Sequence, residues 1–366
     1  MSLKDVRRAF PVRADAAYLN AGSFGPVPRV SEEALVRCHR DELARGRSSP
    51  TYFARLRAAR SAVRAELAAL IGATEGEVAL TRSTTEGCNV VVAGLGLEPG
   101  DEMVTTDMEH YGLLGALGAS PATVRVANLL DAPPAEASAR VAAEVGPRTR
   151  LIALSHVSWF TGEVLPAAEI ATIGPPVLLD GAQSVGAVPV EVGELGCAFL
   201  AFPGQKWLIG PDGTGGLYVA PEWLDRVDVR FPSYYGQAGY EQDGTATPAD
   251  GSPRFDTGTI PAASVAGLLA SLRFASNLGD VRFQRAQELT SRCATILERI
   301  VRLHRPGGGG TLVAFQPDEP AESVVARLAA TGVVVRELPS LGWVRASIGF
   351  WTNEDDLQRL ANALLA

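Results

Sequence analysis

The chain holds only two lysines against 31 arginines, and one of the two, Lys206, lies in Phe202-Pro203-Gly204-Gln205-Lys206-Trp207. The other is Lys4. Arginine stays protonated at any ordinary pH, whereas a desolvated lysine can lose its proton and form a Schiff base with a carbonyl. A composition biased toward arginine accounts for the scarcity equally well, so scarcity alone leaves both readings open. Position says more. Lys206 follows the apolar run 198–202, which reads as a buried strand. In a parallel α/β sheet, ligands sit beyond the carboxyl ends of the strands.

Other strand ends carry polar residues in the same way. After 77–80 comes Thr81-Arg82-Ser83-Thr84-Thr85-Glu86-Gly87, leading into a helix. Hydroxyls and free N–H groups at a helix N-terminus suit a phosphate; the same residues also read as an ordinary cap with Glu in the first turn. After 102–105 comes Asp107-Met108-Glu109-His110. That imidazole is either a cap or surface residue, or a group that stacks on a flat ring. After 177–179 comes Asp180-Gly181-Ala182-Gln183. A carboxylate ending a buried strand is costly without a partner. It either caps the next turn or faces a heterocyclic N–H, with Gln183 on the same side one turn later. Arg345, after Trp343-Val344, is a surface residue or a bidentate clamp for a substrate carboxylate. Together these supply a phosphate site, a ring stacker, an acid for a ring nitrogen, a Schiff-base lysine and a carboxylate clamp. One cofactor calls for that set: pyridoxal 5'-phosphate.

The elements that must position these groups alternate regularly. Candidate strands at 77–80, 102–105, 123–126, 151–154, 177–179, 198–202 and 215–219 are separated by helical segments such as 86–95, 135–145 and 167–173. Several are continuous β-branched or leucine runs, as buried parallel strands should be. An Ala-rich amphipathic helix is expected over 61–71, closed by Gly72. The series predicts a seven-stranded, mainly parallel sheet in an α/β domain over 21–256. Between 232 and 259 the chain turns polar and rich in Gly and Pro. Helices near 262–276 and 280–303 follow, then strands near 311–315, 333–336 and 343–347. These form a smaller α/β domain, 257–366, joined by the N-terminal segment 1–20.

Length and composition bound the rest. With 366 residues, 46% apolar and 20% charged, the chain is long enough for a sizeable core. A net charge of -8, without a basic stripe, disfavours nucleic acid or an anionic membrane as partner. Cys38, Cys88, Cys197 and Cys293 lie far apart, which argues against structural zinc and a disulfide framework. No signal peptide or membrane span is expected, so the expected location is cytoplasmic. Gly94-Leu95-Gly96-Leu97-Glu98-Pro99-Gly100 misses the spacing of a nicotinamide-binding loop.

From about Tyr18 onward the sequence resembles the class V aminotransferase family of fold-type I pyridoxal-phosphate enzymes. The resemblance rests on Ser155-His156-Val157-Ser158, Leu178-Leu179-Asp180-Gly181-Ala182-Gln183-Ser184-Val185-Gly186 and Gly204-Gln205-Lys206-Trp207-Leu208-Ile209-Gly210-Pro211. Tyr18-Leu19-Asn20-Ala21-Gly22-Ser23-Phe24-Gly25 is similar to the opening of the isopenicillin-epimerase-like and cystine-lyase-like branch. The resemblance implies that Lys206 carries the cofactor and shuttles the proton, Asp180 holds the pyridine nitrogen protonated, and His110 stacks on the ring. Gln183 would bond the phenolic oxygen. Ser83, Thr84, Thr85 and Gln205 would hold the phosphate end, and Thr259 would reach it from a neighbouring subunit, implying a homodimer. Arg345 would bind the α-carboxylate, with Asn20 beside the substrate. Where cysteine desulfurases of this family carry Ser and His, this chain has Pro203 and Gln205, and Trp159 stands where an Asn commonly faces the phenolic oxygen. No cysteine follows Cys293, so the loop cysteine of those desulfurases has no counterpart. A small α-amino acid is the expected substrate, with C–S β-elimination first, then transamination or epimerisation.

Overall fold

The computed structural model describes residues 3–304 and 308–366. A short helix α1 (Leu3–Arg8) and a strand β1 (Ala17–Tyr18) lead into two long helices, α2 (Arg29–Arg45) and α3 (Pro50–Leu70). The alternating series then runs β2 (Val78–Thr81), α4 (Thr84–Gly94), β3 (Glu102–Thr106), α5 (Tyr111–Gly118), β4 (Thr123–Ala127) and α6 (Ala137–Glu144). It continues through β5 (Thr149–Ser155), α7 (Ala167–Ala171), β6 (Val177–Asp180), α8 (Val192–Leu195), β7 (Phe199–Pro203) and β8 (Gly215–Val219). All seven strands read from sequence join one sheet, ordered β2-β8-β7-β6-β5-β3-β4. Only β8 runs against its neighbours. The six strands that run together therefore put their carboxyl ends on one edge.

Inner strands such as β6 and β7 are buried along their whole length, because helices cover both sheet faces. Leu179, Leu200 and Phe202 pack into the core on one face. Leu178, Phe199 and Ala201 pack with α4 and α5 on the other. The edge strand β4 is largely exposed.

The polar stretch after β8 holds a hairpin, β9 (Gln237–Tyr240) with β10 (Ala246–Pro248). Helix α9 (Ala262–Ser276) packs on α2 and α3, and its Val265, Leu268 and Leu272 join the first core. Helix α10 (Val281–Leu297) is followed by β11 (Arg302–His304), β12 (Leu312–Gln316), α11 (Ala321–Ala330), β13 (Val333–Val334), β14 (Arg336–Leu338), β15 (Trp343–Ser347) and α12 (Glu354–Leu365). A second, antiparallel sheet is ordered β11-β12-β15-β14. Strand β1 pairs with β13, so the N-terminal segment is stitched to this part.

Three local expectations change. The helix expected over 280–303 stops at Leu297, because Val301 and Leu303 pack on the smaller core and the backbone of 302–304 pairs with β12. The helix expected over 61–71 is only the second half of α3. Helix α2 escaped notice because Ser31 is its only fully buried residue, so it carries no apolar stripe.

Asp256 ties the segment after the hairpin to the sheet. Its carboxylate accepts from Arg60 at 2.8 Å, Arg64 at 2.8 and 3.0 Å, and the Leu80 N–H at 2.8 Å. The next residue, Thr257, donates through its N–H to Leu80 O and through its hydroxyl to Glu86. Removing the anion strands two buried guanidinium groups. Asp256→Ala should cost roughly 3–5 kcal/mol, read as a lowered urea midpoint; a loss under about 1 kcal/mol would mean the network carries little.

Candidate active site

The site residues come from the carboxyl edge of the large sheet. At the start of α4, Ser83 caps the helix by accepting from Glu86 N–H at 3.1 Å. Thr84 is buried and its hydroxyl has no partner, while Thr85 is exposed. Glu86 is held by the Arg82 side chain and Thr257, so its charge is compensated. The helix keeps free N–H groups at this end, as a phosphate requires.

His110 caps α5, its Nδ1 accepting from Gly112 N–H at 3.1 Å. That bond leaves the proton on Nε2 in the neutral ring. Burial, then the charges of Lys206, Arg345 and Arg336, push the imidazole down to about 4. Trp159 meets it edge-on with ring centroids 4.9 Å apart.

Asp180 ends β6 at 3% exposure, and its Oδ1 accepts from Ala182 N–H at 2.8 Å. Burial pushes its carboxyl up, and Lys206 opposes that. Lys206 follows β7 and is partly screened from solvent. Burial lowers its amine to about 8, with Asp180 acting against the shift and Arg345 reinforcing it. The turn after it is strained: buried Ile209 adopts φ 51°, the only positive φ outside glycine among the described residues. Such a conformation costs about 1–3 kcal/mol and is held by the surrounding structure. Here Ser271 donates to Ile209 O at 2.9 Å.

The loop after β1 closes over this turn. A Cβ on Gly25 would fall 2.0 Å from Lys206 O, and one on Gly22 would fall 2.7 Å from an Arg345 nitrogen. Gly25 N–H donates to Gln205 O at 2.7 Å. Gln183 is drawn into this packing. Its Oε1 accepts from Trp207 Nε1 at 3.0 Å and its Nε2 donates to Gly22 O at 2.9 Å. One amide hydrogen remains for any other partner.

Arg345 is 1% exposed on β15, and its Nη1 donates to Trp159 O at 2.8 Å. It has no carboxylate partner among the described residues. Burial and Arg336 push the guanidinium down to about 9, so it stays charged at neutral pH. Asn20, in the same loop as Gly22, bridges to Ser347 on β15. Thr259 is exposed, two residues beyond the Thr257–Glu86 bond. Lys206, Asp180, His110 and Arg345 are thus within electrostatic reach of one another, with the α4 cap, Gln205 and the Asn20 loop around them.

Sequence reasoning passed over Arg336. It is the Cα partner of Arg345 across β14 and β15, so the two side chains share a sheet face. Only the strand register brings them together; its position in the sequence gave no signal beyond its place at the end of a short apolar run.

Whether this edge fits a cofactor can be tested on its orphaned atoms. Asn20 Oδ1, Thr84 Oγ1, Gln205 Oε1, Arg345 Nε and Ser347 Oγ are buried without partners. Buried polar groups are normally satisfied, and these lie on the very segments that converge on Lys206. Of these, the Thr84 and Ser347 hydroxyls and Arg345 Nε can donate to phosphate and carboxylate oxygens, whereas the Asn20 and Gln205 amide oxygens accept.

The family model described as aminotransferase class-V matches residues 18–360. The chain belongs to the class V aminotransferase family. It is a pyridoxal-phosphate-dependent enzyme family, and the orphaned Thr84 hydroxyl and Arg345 Nε suit the oxygens of that cofactor and its substrates. The chain is similar to a cysteine desulfurase of Dickeya dadantii, at 31% identity over 98% of this chain and 95% of that protein. It is similar to an isopenicillin N epimerase of Streptomyces clavuligerus, at 30% identity over 94% of this chain and 93% of the other. A solved complex of a cystine C–S lyase with its reaction product, cysteine persulfide, superposes with a TM-score of 0.91 at 29% identity, covering 97% of this chain and 98% of that one.

A screened amine costs stability when it is charged. Lys206→Met should make the cofactor-free protein more stable at pH 7 by on the order of 1 kcal/mol. The sign follows from the amine's descent from 10.5 to about 8. The folded state releases the proton first, so the wild type should recover stability relative to Lys206→Met as pH rises from about 8 toward 10.5. Urea melts of both proteins at pH 7 and pH 10 check this; a pH-independent difference would contradict it.

Proposed function

We propose that this protein cleaves the C–S bond of a small sulfur-bearing α-amino acid by β-elimination, and that cystine is the substrate it fits best. The observation that carries the reading is Arg336 beside Arg345. Both arginines bear on His110, and neither has an acidic partner among the described residues. A simple amino acid offers one carboxylate for Arg345. A disulfide amino acid offers a second at its far end, for Arg336. The similarity to a cystine C–S lyase supports the same reading.

Bound pyridoxal phosphate supplies an aldehyde for amines and an electron-poor ring that accepts the electrons left when Cα loses its proton. The chain does the rest. Ser83, Thr84, Thr85, Gln205 and the free N–H groups of α4 hold the phosphate. Asp180 keeps the pyridine nitrogen protonated, since a buried anion favours the nearby cation. His110, neutral at working pH, would stack on the ring, and the remaining N–H of Gln183 would serve the phenolic oxygen. Arg345 would hold the α-carboxylate next to Asn20. Lys206, with an amine near pH 8, is neutral often enough at neutral pH to take that proton. The β-sulfur leaves with the C–S bonding pair. Overall, cystine and water give cysteine persulfide, pyruvate and ammonia.

No cysteine follows Cys293, and Cys293 is 1% exposed. Sulfur therefore leaves on a small product rather than on a loop thiol. The same site also accommodates epimerisation, which the isopenicillin N epimerase similarity favours, and transamination differs only in where the proton returns. We also take the protein to act in the cytoplasm as a homodimer, with exposed Thr259 completing the phosphate site of a second copy. The exposed aromatics Phe53, Tyr234 and Tyr240 give that second copy an apolar face to cover.

Purified protein should be yellow, and borohydride should bleach the colour and leave the cofactor on Lys206. Cystine should yield pyruvate and persulfide, whereas alanine with a keto acid should yield little. Arg336→Ala should raise KM for cystine about tenfold, the equivalent of ~1.4 kcal/mol, and leave KM for cysteine nearly unchanged. Equal effects on both substrates would remove Arg336 from recognition, and a colourless protein that binds no pyridoxal phosphate would sink the whole reading.

A further inference from the structure

Behind His110 lies a carboxyl group that the proposed chemistry does not use. Glu109 is 3% exposed and has no cationic partner among the described residues. Its Oε2 accepts from Ser155 N–H at 2.8 Å and from the Ser155 hydroxyl at 2.6 Å. Its Oε1 lies 2.5 Å from Thr106 Oγ1, which itself accepts from Met108 N–H at 3.2 Å. Thr106 ends β3, Ser155 ends β5, and Ser155 is the Cα partner of Asp180 on β6. One side chain therefore joins two strand ends, and the next residue in the chain is the ring stacker.

We propose that Glu109 is a positioning residue carried as a neutral carboxylic acid, which fixes His110 against the strand ends and leaves Asp180 the only anion at the ring nitrogen. The proposal rests on the cofactor reading above and assigns Glu109 a part in it. The bonds alone favour the anion, since Ser155 N–H, the Ser155 hydroxyl and the Thr106 hydroxyl all donate to the carboxyl. The neutral acid is accommodated when the Thr106 hydroxyl turns and accepts a proton from Oε1, and burial and the Asp180 charge act in its favour. An ionised carboxylate here would be a second buried negative charge close to Asp180, with no cation to offset it. The groups facing it from neighbouring elements are Asp180 on β6 and the Cys88 thiol on α4; Cys88 feels both carboxyls and is pushed up with them. Lys206 acts on Asp180 from the end of β7. Burial, the largest influence, raises the Glu109 carboxyl to about 7.

Glu109→Gln is the decisive variant, because a glutamine copies the neutral acid. Its amide oxygen accepts from both Ser155 donors and its NH2 donates to Thr106. Glu109→Ala leaves the Ser155 donors unpaired. With the full-length protein, equilibrium dialysis should give a pyridoxal-phosphate dissociation constant for Glu109→Gln within about threefold of wild type, and for Glu109→Ala at least tenfold weaker, about 1.4 kcal/mol. The visible absorbance of the wild type should show an inflection near pH 7 that Glu109→Gln lacks. Binding by Glu109→Gln as weak as by Glu109→Ala, or an inflection that survives in Glu109→Gln, overturns the proposal. Should Glu109→Ala not fold, Glu109→Gln still decides.

The cofactor-free proteins give a separate reading. A carboxyl raised from 4.5 to about 7 holds its proton longer in the folded state, so its contribution is full below about 4.5 and lost as pH rises through 7. Wild type should therefore lose stability relative to Glu109→Gln over that range, and a flat difference refutes a neutral Glu109. If that difference appears but no variant binds pyridoxal phosphate, the fault lies with the cofactor reading.

Discussion

Everything at this edge depends on holding one amine that gives up its proton readily beside one anion. Lys206 and Asp180 lie at the ends of adjacent strands, β7 and β6, and act on each other electrostatically, yet no ion pair joins them. A direct bridge would hold the amine charged. Too great a separation would let burial drive both groups neutral. Parallel pairing of β6 with β7 sets the compromise, because it fixes how far apart two strand ends can be.

The Asn20 loop packs over the backbone of the Lys206 turn, and that loop is anchored on the other part of the molecule through β1, β13 and Ser347. Gly25 lets the backbone pass against the Lys206 carbonyl, where no side chain would fit, and Gly22 lets it pass beside the Arg345 guanidinium, which a side chain there would displace. The same loop consumes most of the hydrogen-bonding capacity of Gln183. Arg345, the Lys206 turn and this loop are therefore one packed unit, and the strained Ile209 within it is held by α9 through Ser271.

Much of this was legible in the chain. Continuous apolar runs marked the seven strands, and Lys206, Asp180 and His110 follow strands directly, so topology alone delivers them to one edge. What escaped was set by contacts distant in sequence. Arg336 meets Arg345 only through antiparallel register. Gln183 looked free because Trp207 and Gly22 converge on it from other segments. The strand 302–304 read as the end of a helix because its pairing partner β12 is what makes it a strand. Glu109 looked like the neighbour of a histidine, and only the fold shows its bonds to Thr106 and Ser155.

Charge explains why these pieces belong together. Near Lys206 the edge gathers three cationic side chains, Lys206, Arg336 and Arg345, against the Asp180 carboxylate that acts on Lys206. Such an excess is unfavourable, and it is reflected in the lowered Lys206 and Arg345. A phosphate and one or two carboxylates would reverse the balance. A second buried anion at Glu109 would compensate part of the excess in the wrong place, beneath the strand ends rather than where ligand oxygens arrive. Keeping that carboxyl neutral leaves the positive field for cofactor and substrate.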